Sequence, residues 1–446
     1  VLVPECATGR QRKRKAGATK PARLATRCCG LYDGPVKFLH AADIHLDSPL
    51  AGQTRRGTAP ERLTRDCTRQ AFRNLIDLAI AEDVAFVVIA GDLYDADWRD
   101  FSTGLFFAGE MRRLAGRPCI LVRGNHDAGS VITRNLEPPG NVRVFSTRRA
   151  ETFRFDEFGV ALHGRSFPTR AVEEDFASGY PPPIAGLLNI GVLHTSAEDP
   201  GEHEVYAPCS VGSLAVKGYE YWALGHIHQR RVLHERPWIV FPGNLQGRHP
   251  REVGAKGCML VEVEEGRIVA VTPRATDVLR WGAVTADLGG AAAIAEILAR
   301  VRMELAGALA ASEGRPLIVR LTLAGATAQH AAMLADLDAI EAECRAAAAQ
   351  LSGELYIERV RVQTRPAGQG LSGEAAAQLA EAFLAGLDDP AVVAQLLEDF
   401  RAIAAQMPGL KGREGAPLPQ SLEALRDLAP EAWQIVAHAL AGGAAP

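Results

Sequence analysis

The chain has 446 residues, 47% of them hydrophobic and 23% charged, with a formal net charge of −4. That length exceeds one ordinary core, so two or three domains are expected. No apolar run reaches the roughly 18–20 residues of a membrane-spanning helix, and the charge balance carries no global basic signature for nucleic acid. Arginine greatly outnumbers lysine, so a single arginine is weak evidence for a phosphate contact.

Residues 1–34 contain QRKRK and little apolar periodicity, the pattern of a disordered basic tail. No secretory apolar segment follows it, so a cytoplasmic location is expected. The eight cysteines form no C-x-x-C pair, which points to reduced thiols and away from a zinc–thiolate site. Folded sequence begins at VKFLHAADIHLDSP, where residues 36–42 read as a strand ending on polar residues. Ala71, Phe72, Leu75, Ile76, Leu78 and Ala79 then recur at helical spacing within 61–82. VAFVVIAGD is a buried-strand pattern ending at Gly91-Asp92. A helix is expected over 105–114, and CILVRGNHD (119–127) is a further strand whose terminal loop carries Asn125, His126 and Asp127. This alternation predicts an α/β domain with a buried sheet.

Residues 141–165 read as shorter, alternating strands. NIGVLHTS (189–196) and YEYWALGHIHQ (219–229) are two more strand ends, and 238–252 with 257–273 close the region as strands and a hairpin. Past about residue 275 the polar motifs stop. A strand–helix–strand–helix–strand pattern there predicts a small α+β unit, followed by amphipathic helices. The expected domains are therefore 35–274, 275–366 and a helical region 374–446.

Five strand ends carry metal-competent side chains: Asp43 and His45, Asp92, Asn125, His194, and His226 with His228. In α/β sheets, ligands bind beyond the carboxyl ends of strands, so one crevice should collect all seven. Carboxylate, imidazole and amide without thiolate suit manganese, magnesium, iron or zinc. Seven donors exceed what one ion with open positions needs, but serve two ions if a carboxylate bridges. Asp92, the single carboxylate in mid-set, is the expected bridge. A lone D-x-H or G-D is usually only a polar turn; the ordered series of five is what carries the expectation.

ADIH, GDLYD, GNHD, LHTS and GHIH, in that order between about residues 36 and 250, resemble the signature blocks of the calcineurin-like metallophosphoesterases. The resemblance implies a two-sheet sandwich flanked by helices around two divalent ions, manganese being the leading choice. It implies one ion on Asp43, His45, Asp92 and His228, and the other on Asp92, Asn125, His194 and His226. His126 is then the residue that contacts phosphate, and Asp127 is expected to hold its imidazole. FLHAADIHLDSPL, GDLYDADWRDFSTGLFF and FPGNLQGRHPRE are most similar to the bacterial DNA-repair exonuclease branch, YhaO-type proteins related to the nuclease subunit of the SbcCD complex. That branch implies a DNA nuclease with a small capping domain and C-terminal helices that dock on an SMC-like coiled-coil ATPase; a homodimer is compatible with it. Asp95 stands where other relatives place a second active-site histidine. Arg248, His249 and Arg251 of GRHPRE are the expected DNA contacts. A metallophosphoesterase for small diesters or phosphoproteins is the alternative, and a quiet scaffold a third reading.

Overall fold

A computed structural model describes residues 35–50, 64, 66–95, 100–130, 137–197, 206–367, 374–406 and 418–440. The basic tail at 1–34 and the Gly-rich link at 368–373 lie outside them. The first sheet has the order β12-β11-β1-β2-β3-β4, built from β1 (Val36–Ala41), β2 (Phe86–Ala90), β3 (Cys119–Val122), β4 (Val142–Val144), β11 (Gly257–Glu264) and β12 (Arg267–Ala275). Strands β1 to β4 are parallel, whereas β11 and β12 form the expected antiparallel hairpin at one side. The second sheet runs β5-β6-β7-β8-β10-β9, from β5 (Glu151–Phe155), β6 (Val160–Gly164), β7 (Leu188–His194), β8 (Tyr221–Gly225), β9 (Arg231–Glu235) and β10 (Trp238–Phe241).

The two sheets pack face to face. Phe38, Phe86, Val88, Ile120 and Val122 meet Ile190, Val192, Tyr221, Ala223 and Val240. Phe38 stacks on Phe86 with ring centres 4.9 Å apart and meets Tyr221 edge-on at 5.5 Å. On its other face the first sheet buries Leu39, Val87 and Ile89 against Ala71, Phe72, Leu75 and Ile76 of helix Cys67–Ala81 and against Phe107 and Met111 of helix Phe101–Arg113. Strands apolar on both faces therefore read as continuous runs. The second helix begins four residues before the expected 105, because Asp100 accepts the Ser102 amide and caps it.

A third unit follows the sandwich. Strands β13 (Arg280–Asp287), β14 (Leu317–Thr327) and β15 (Leu355–Pro366) pair in that order, all parallel. Helices Ile294–Ala310 and Leu337–Leu351 make the crossovers and cover one face of the sheet through Ile297, Val301, Ile340 and Cys344. Leu50 and Cys67 of the sandwich pack against Leu279, Trp281 and Ile318 of this unit. The C-terminal region is helical where described, over Glu374–Ala385, Pro390–Gln406 and Leu422–Leu440. Its apolar residues divide: Phe383, Leu387 and Phe400 pack together, whereas Leu379, Leu384 and Val392 are exposed. No helix among the described residues is long and apolar enough to cross a membrane.

Candidate metal centre

The expected ligands come from strand ends of both sheets: β1, β2 and β3 of the first, β7 and β8 of the second. The structure gathers them at one place. Asp43, His45 and His228 offer ligand atoms within 4.8 Å of one another, and so do Asp43, Asp92 and His194, and His45, Asp92 and His126. Asp92 lies 3.8 Å from His45 Nε2 and 3.4 Å from His194 Nε2, between the two halves of the cluster, as a bridging carboxylate requires. Asn125 Oδ1 is 3.0 Å from His194 Nε2. His226 is in edge contact with the His194 ring at 5.3 Å, and its backbone N–H donates to both Asp43 oxygens at 2.9 and 3.1 Å.

Local backbone geometry shows what this convergence costs. Asp43, His45, Asp92 and His226 have φ of 51°, 45°, 53° and 105°. Non-glycine residues in such conformations each cost about 1–3 kcal/mol, and they persist where surrounding structure holds them. Gly124 is required by close approach: a Cβ there would lie 2.3 Å from Asp92 Oδ1 and 2.8 Å from His194 Nε2. The glycine of GNHD thus lets the β3 end pass directly behind the bridging carboxylate.

Donor chemistry fits a cation. Both ring nitrogens of the fully buried His45 lack a hydrogen-bond partner among the described residues. Burial, reinforced by the charge of Arg248, drives the His45 imidazole well below its ordinary range, so it is neutral with a lone pair to give. Orphaned buried nitrogens are costly unless something binds them. Burial works to raise the Asp92 carboxyl, but the imidazoles of His194, His45 and His126 outweigh it and keep Asp92 ionised. Asp43 is raised by the same burial. Two buried carboxylates among four or more imidazoles form a site for divalent ions.

Beside the cluster, the His126 ring lies edge-on to His45 at 4.8 Å. The expectation that Asp127 holds this imidazole is corrected. The Asp127 carboxylate accepts backbone N–H groups of Leu93, Tyr94 and Gly124 at 3.2, 2.9 and 3.1 Å. GNHD is not an open loop either: Asn125–Gly129 forms one helical turn, and Asp127, in that turn, faces back to the amides behind it. Asp127 therefore ties the β3 end to the loop after Asp92. Asp95 takes the role instead, with Oδ1 3.1 Å from His126 Nδ1 and Oδ2 accepting from Ser48 Oγ at 2.7 Å. Burial opposes an imidazolium at His126, but the Asp95 hydrogen bond and the Asp92 charge raise its pKa above the usual value.

Of the expected DNA contacts, Arg248 lies beside the metal centre. Its guanidinium turns inward, donating to Ser48 Oγ at 2.5 Å and lying 3.5 Å from Asp95 Oδ2, whose negative charge attracts it. His249 accepts the Arg251 amide on Nδ1, and Arg251 is exposed. His163, at another strand end, is buried away from the cluster between Thr152 and Asn189.

Two contributors escaped the sequence reading. Ser48 links Asp95 to Arg248. Glu252 binds His228 Nδ1 through Oε1 at 2.6 Å, while Oε2 accepts Asn244 Nδ2 at 3.0 Å and the Arg248 amide at 2.6 Å. A carboxylate on the second nitrogen of a ligand histidine fixes its tautomer and direction. Glu252 ends the GRHPRE block, and its signal in the sequence is an acid just past the last histidine motif.

Comparisons with known proteins agree with this geometry. The calcineurin-like phosphoesterase family model matches residues 36–230. The model of the middle domain of metallophosphoesterase YhaO matches residues 281–365. An uncharacterized metallophosphoesterase YhaO of Bacillus subtilis (strain 168) is 35% identical over 294 residues, covering 65% of this chain and 71% of that protein. The DNA double-strand break repair protein Mre11 of Sulfurisphaera tokodaii is 26% identical over 170 residues, 36% of this chain and 43% of the relative. The Mre11 protein of Sulfolobus acidocaldarius is 24% identical over 205 residues, 44% of this chain and 50% of the relative. With His/Asp clusters that could hold divalent ions, the chain belongs to the YhaO family of calcineurin-like metallophosphoesterases.

Proposed function

We propose that this metallophosphoesterase cleaves DNA, as a manganese-dependent nuclease of DNA repair in the cytoplasm that works with an SMC-like ATPase. The observation that carries phosphodiester hydrolysis is the single cluster of Asp43, His45, Asp92, Asn125, His194 and His228, with His226 beside it and His126 at its rim. A pair of divalent ions, when bound, activates water and neutralises charge on a phosphate. The chain's own residues do the rest. Asp43, His45, Asp92 and His228 would hold one ion, and Asp92, Asn125, His194 and His226 the other. Asp95 fixes Nδ1 of His126, which leaves Nε2 for a phosphate oxygen or the leaving group. A positively charged His126 stabilises negative charge as it develops, and can return a proton to the departing oxygen. Asp127 keeps the Asp92 and Asn125 loops in register and takes no part in proton transfer.

The metal cluster by itself supports the broader reading better, a metallophosphoesterase for small phosphodiesters or phosphoproteins, since nothing in the cluster selects DNA. The DNA reading adds two supports: similarity to proteins named for DNA double-strand break repair, and exposed apolar residues Leu379, Leu384, Val392 and Ile403 on the C-terminal helices, suited to a partner helix.

The deciding experiment is cleavage of end-labelled linear duplex DNA by the purified chain with manganese, with and without EDTA, beside a chromogenic phosphodiester and a His126→Ala control. Metal-dependent DNA degradation that the substitution abolishes is the expected result. Hydrolysis of the small diester alone favours the second reading for the lone chain.

A further inference from the structure

The third unit is two layers thick. Its helices all pack on the face of the sheet that carries Val284, Ala286, Val319, Leu321, Val360 and Val362. Side chains alternate along strands, so the other face carries Trp281 and Thr285 from β13, Ile318, Arg320 and Thr322 from β14, and Tyr356, Arg359, Arg361, Gln363 and Arg365 from β15. Near the strand starts this face is closed by the sandwich, where Trp281 and Ile318 meet Leu50 and Cys67. Beyond that contact it turns polar and open: Thr285, Gln363 and Arg365 are exposed, and Arg320, Arg359 and Arg361 half-buried.

Pairing aligns the arginines. Arg320 stands opposite Arg359, Thr322 opposite Arg361, and Ala326 opposite Arg365. Two carboxylates share the region. Glu358, at a bulge, accepts from Arg320 at 3.0 Å, and Asp287 accepts the Gly289 amide. Arg361 and Arg365 have no acidic partner among the described residues, and Arg359 Nε is buried without one. Like charges set across a sheet weaken it, so this array favours an anion laid over it. The track also leads somewhere. Its sandwich end packs on Leu50, two residues after Ser48, which donates to Asp95 beside the metal centre.

We propose that this sheet face is a phosphodiester-backbone track, on which a nucleic-acid duplex leaving the metal crevice is held by Arg320, Arg359, Arg361 and Arg365. The proposal rests on the DNA reading above and names the surface that would carry it. From Arg359 to Arg365 a strand advances about 20 Å, which is roughly six phosphates along one strand of a duplex.

The test is binding of the full chain to a fluorescein-labelled blunt DNA duplex in calcium, over a range of salt concentrations. R361Q/R365Q is compared with R154Q/R267Q, two exposed arginines away from this sheet. Hydrolysis of a chromogenic phosphodiester is measured for each. The expected result for R361Q/R365Q is a salt slope smaller by about two and binding weaker on the order of fifty-fold at ~0.1 M salt, with unchanged diester hydrolysis. R361K/R365K should bind nearly as the native chain does. Native slope and affinity in R361Q/R365Q, or equal losses in both glutamine pairs, would overturn the track and leave the nuclease reading standing. A native chain that hydrolyses the diester but binds no duplex would overturn the nuclease reading, and the track with it.

Discussion

Replacing Glu252 by alanine should weaken the metal site that includes His228 while leaving the sandwich folded. In the native chain this carboxylate accepts three hydrogen bonds, from His228 Nδ1, Asn244 Nδ2 and the Arg248 amide. Burial works to raise its pKa, but His228 overcomes that and holds the carboxyl well below its usual range, so it is a full negative charge at neutral pH. Bonds to a charged acceptor contribute about 1.5–3 kcal/mol each. The side chain is 15% exposed, so water enters when it is truncated and re-solvates some of the donors. A stability loss of about 2–4 kcal/mol follows. His228 then loses its fixed tautomer and direction. Removal of such an outer carboxylate typically lowers metal affinity 10–100-fold, about 1.4–2.7 kcal/mol. Manganese titration by calorimetry, with metal content by elemental analysis after dialysis, would measure this directly. Glu252→Gln keeps an acceptor for His228 and should recover part of the affinity. If Glu252→Ala binds two ions as tightly as the native chain, with a native circular dichroism spectrum, Glu252 does not orient His228 and the reasoning fails.

Three further outcomes are expected. Asp95→Asn removes the charge that fixes His126, and should lower kcat on a chromogenic diester by roughly tenfold, against about 10²–10⁴-fold for His126→Gln, with both variants keeping their metal; equal metal loss in both would instead place the pair among the ligands. Gly124→Ala drives a methyl into Asp92 and His194, so it should lose metal stoichiometry or fold poorly, and a fully loaded, native-like Gly124→Ala protein would refute the close-approach argument. In the metal-free chain, burial lowers the His194 pKa but Asp92 and Asp43 more than offset it, raising it to about 9. A raised pKa stabilises the folded state below about pH 6.5 and loses that contribution as pH rises through about 9. Metal must displace the His194 proton, so binding at pH 7.5 should release about one proton and weaken as pH falls. Calorimetry in buffers of different ionisation enthalpy reads this, and buffer-independent heats would contradict it.

Much of the centre was legible from residue order alone. Asp43, His45, Asp92, Asn125, His194, His226 and His228 each follow an apolar strand, and strand ends of α/β sheets converge, so residue type and position along the chain were enough to expect one cluster. The fold class was legible for a similar reason, because strands alternating with helices are the pattern of parallel strands joined by crossover helices. The direction of a side chain at a strand end was not legible. His126 and Asp127 are neighbours in sequence, yet one faces the crevice and the other the backbone amides, because Asn125–Gly129 turns as a helix and rotates successive side chains by about 100°. Asp95, Ser48 and Arg248 come together beside the metal cluster through contacts such as Arg248 to Ser48, which no local pattern encodes. Sequence thus determined which donors the chain has and which end of the sheets carries them. Tertiary packing decided which carboxylate serves which histidine, since that depends on distances of a few ångströms between segments far apart in the chain.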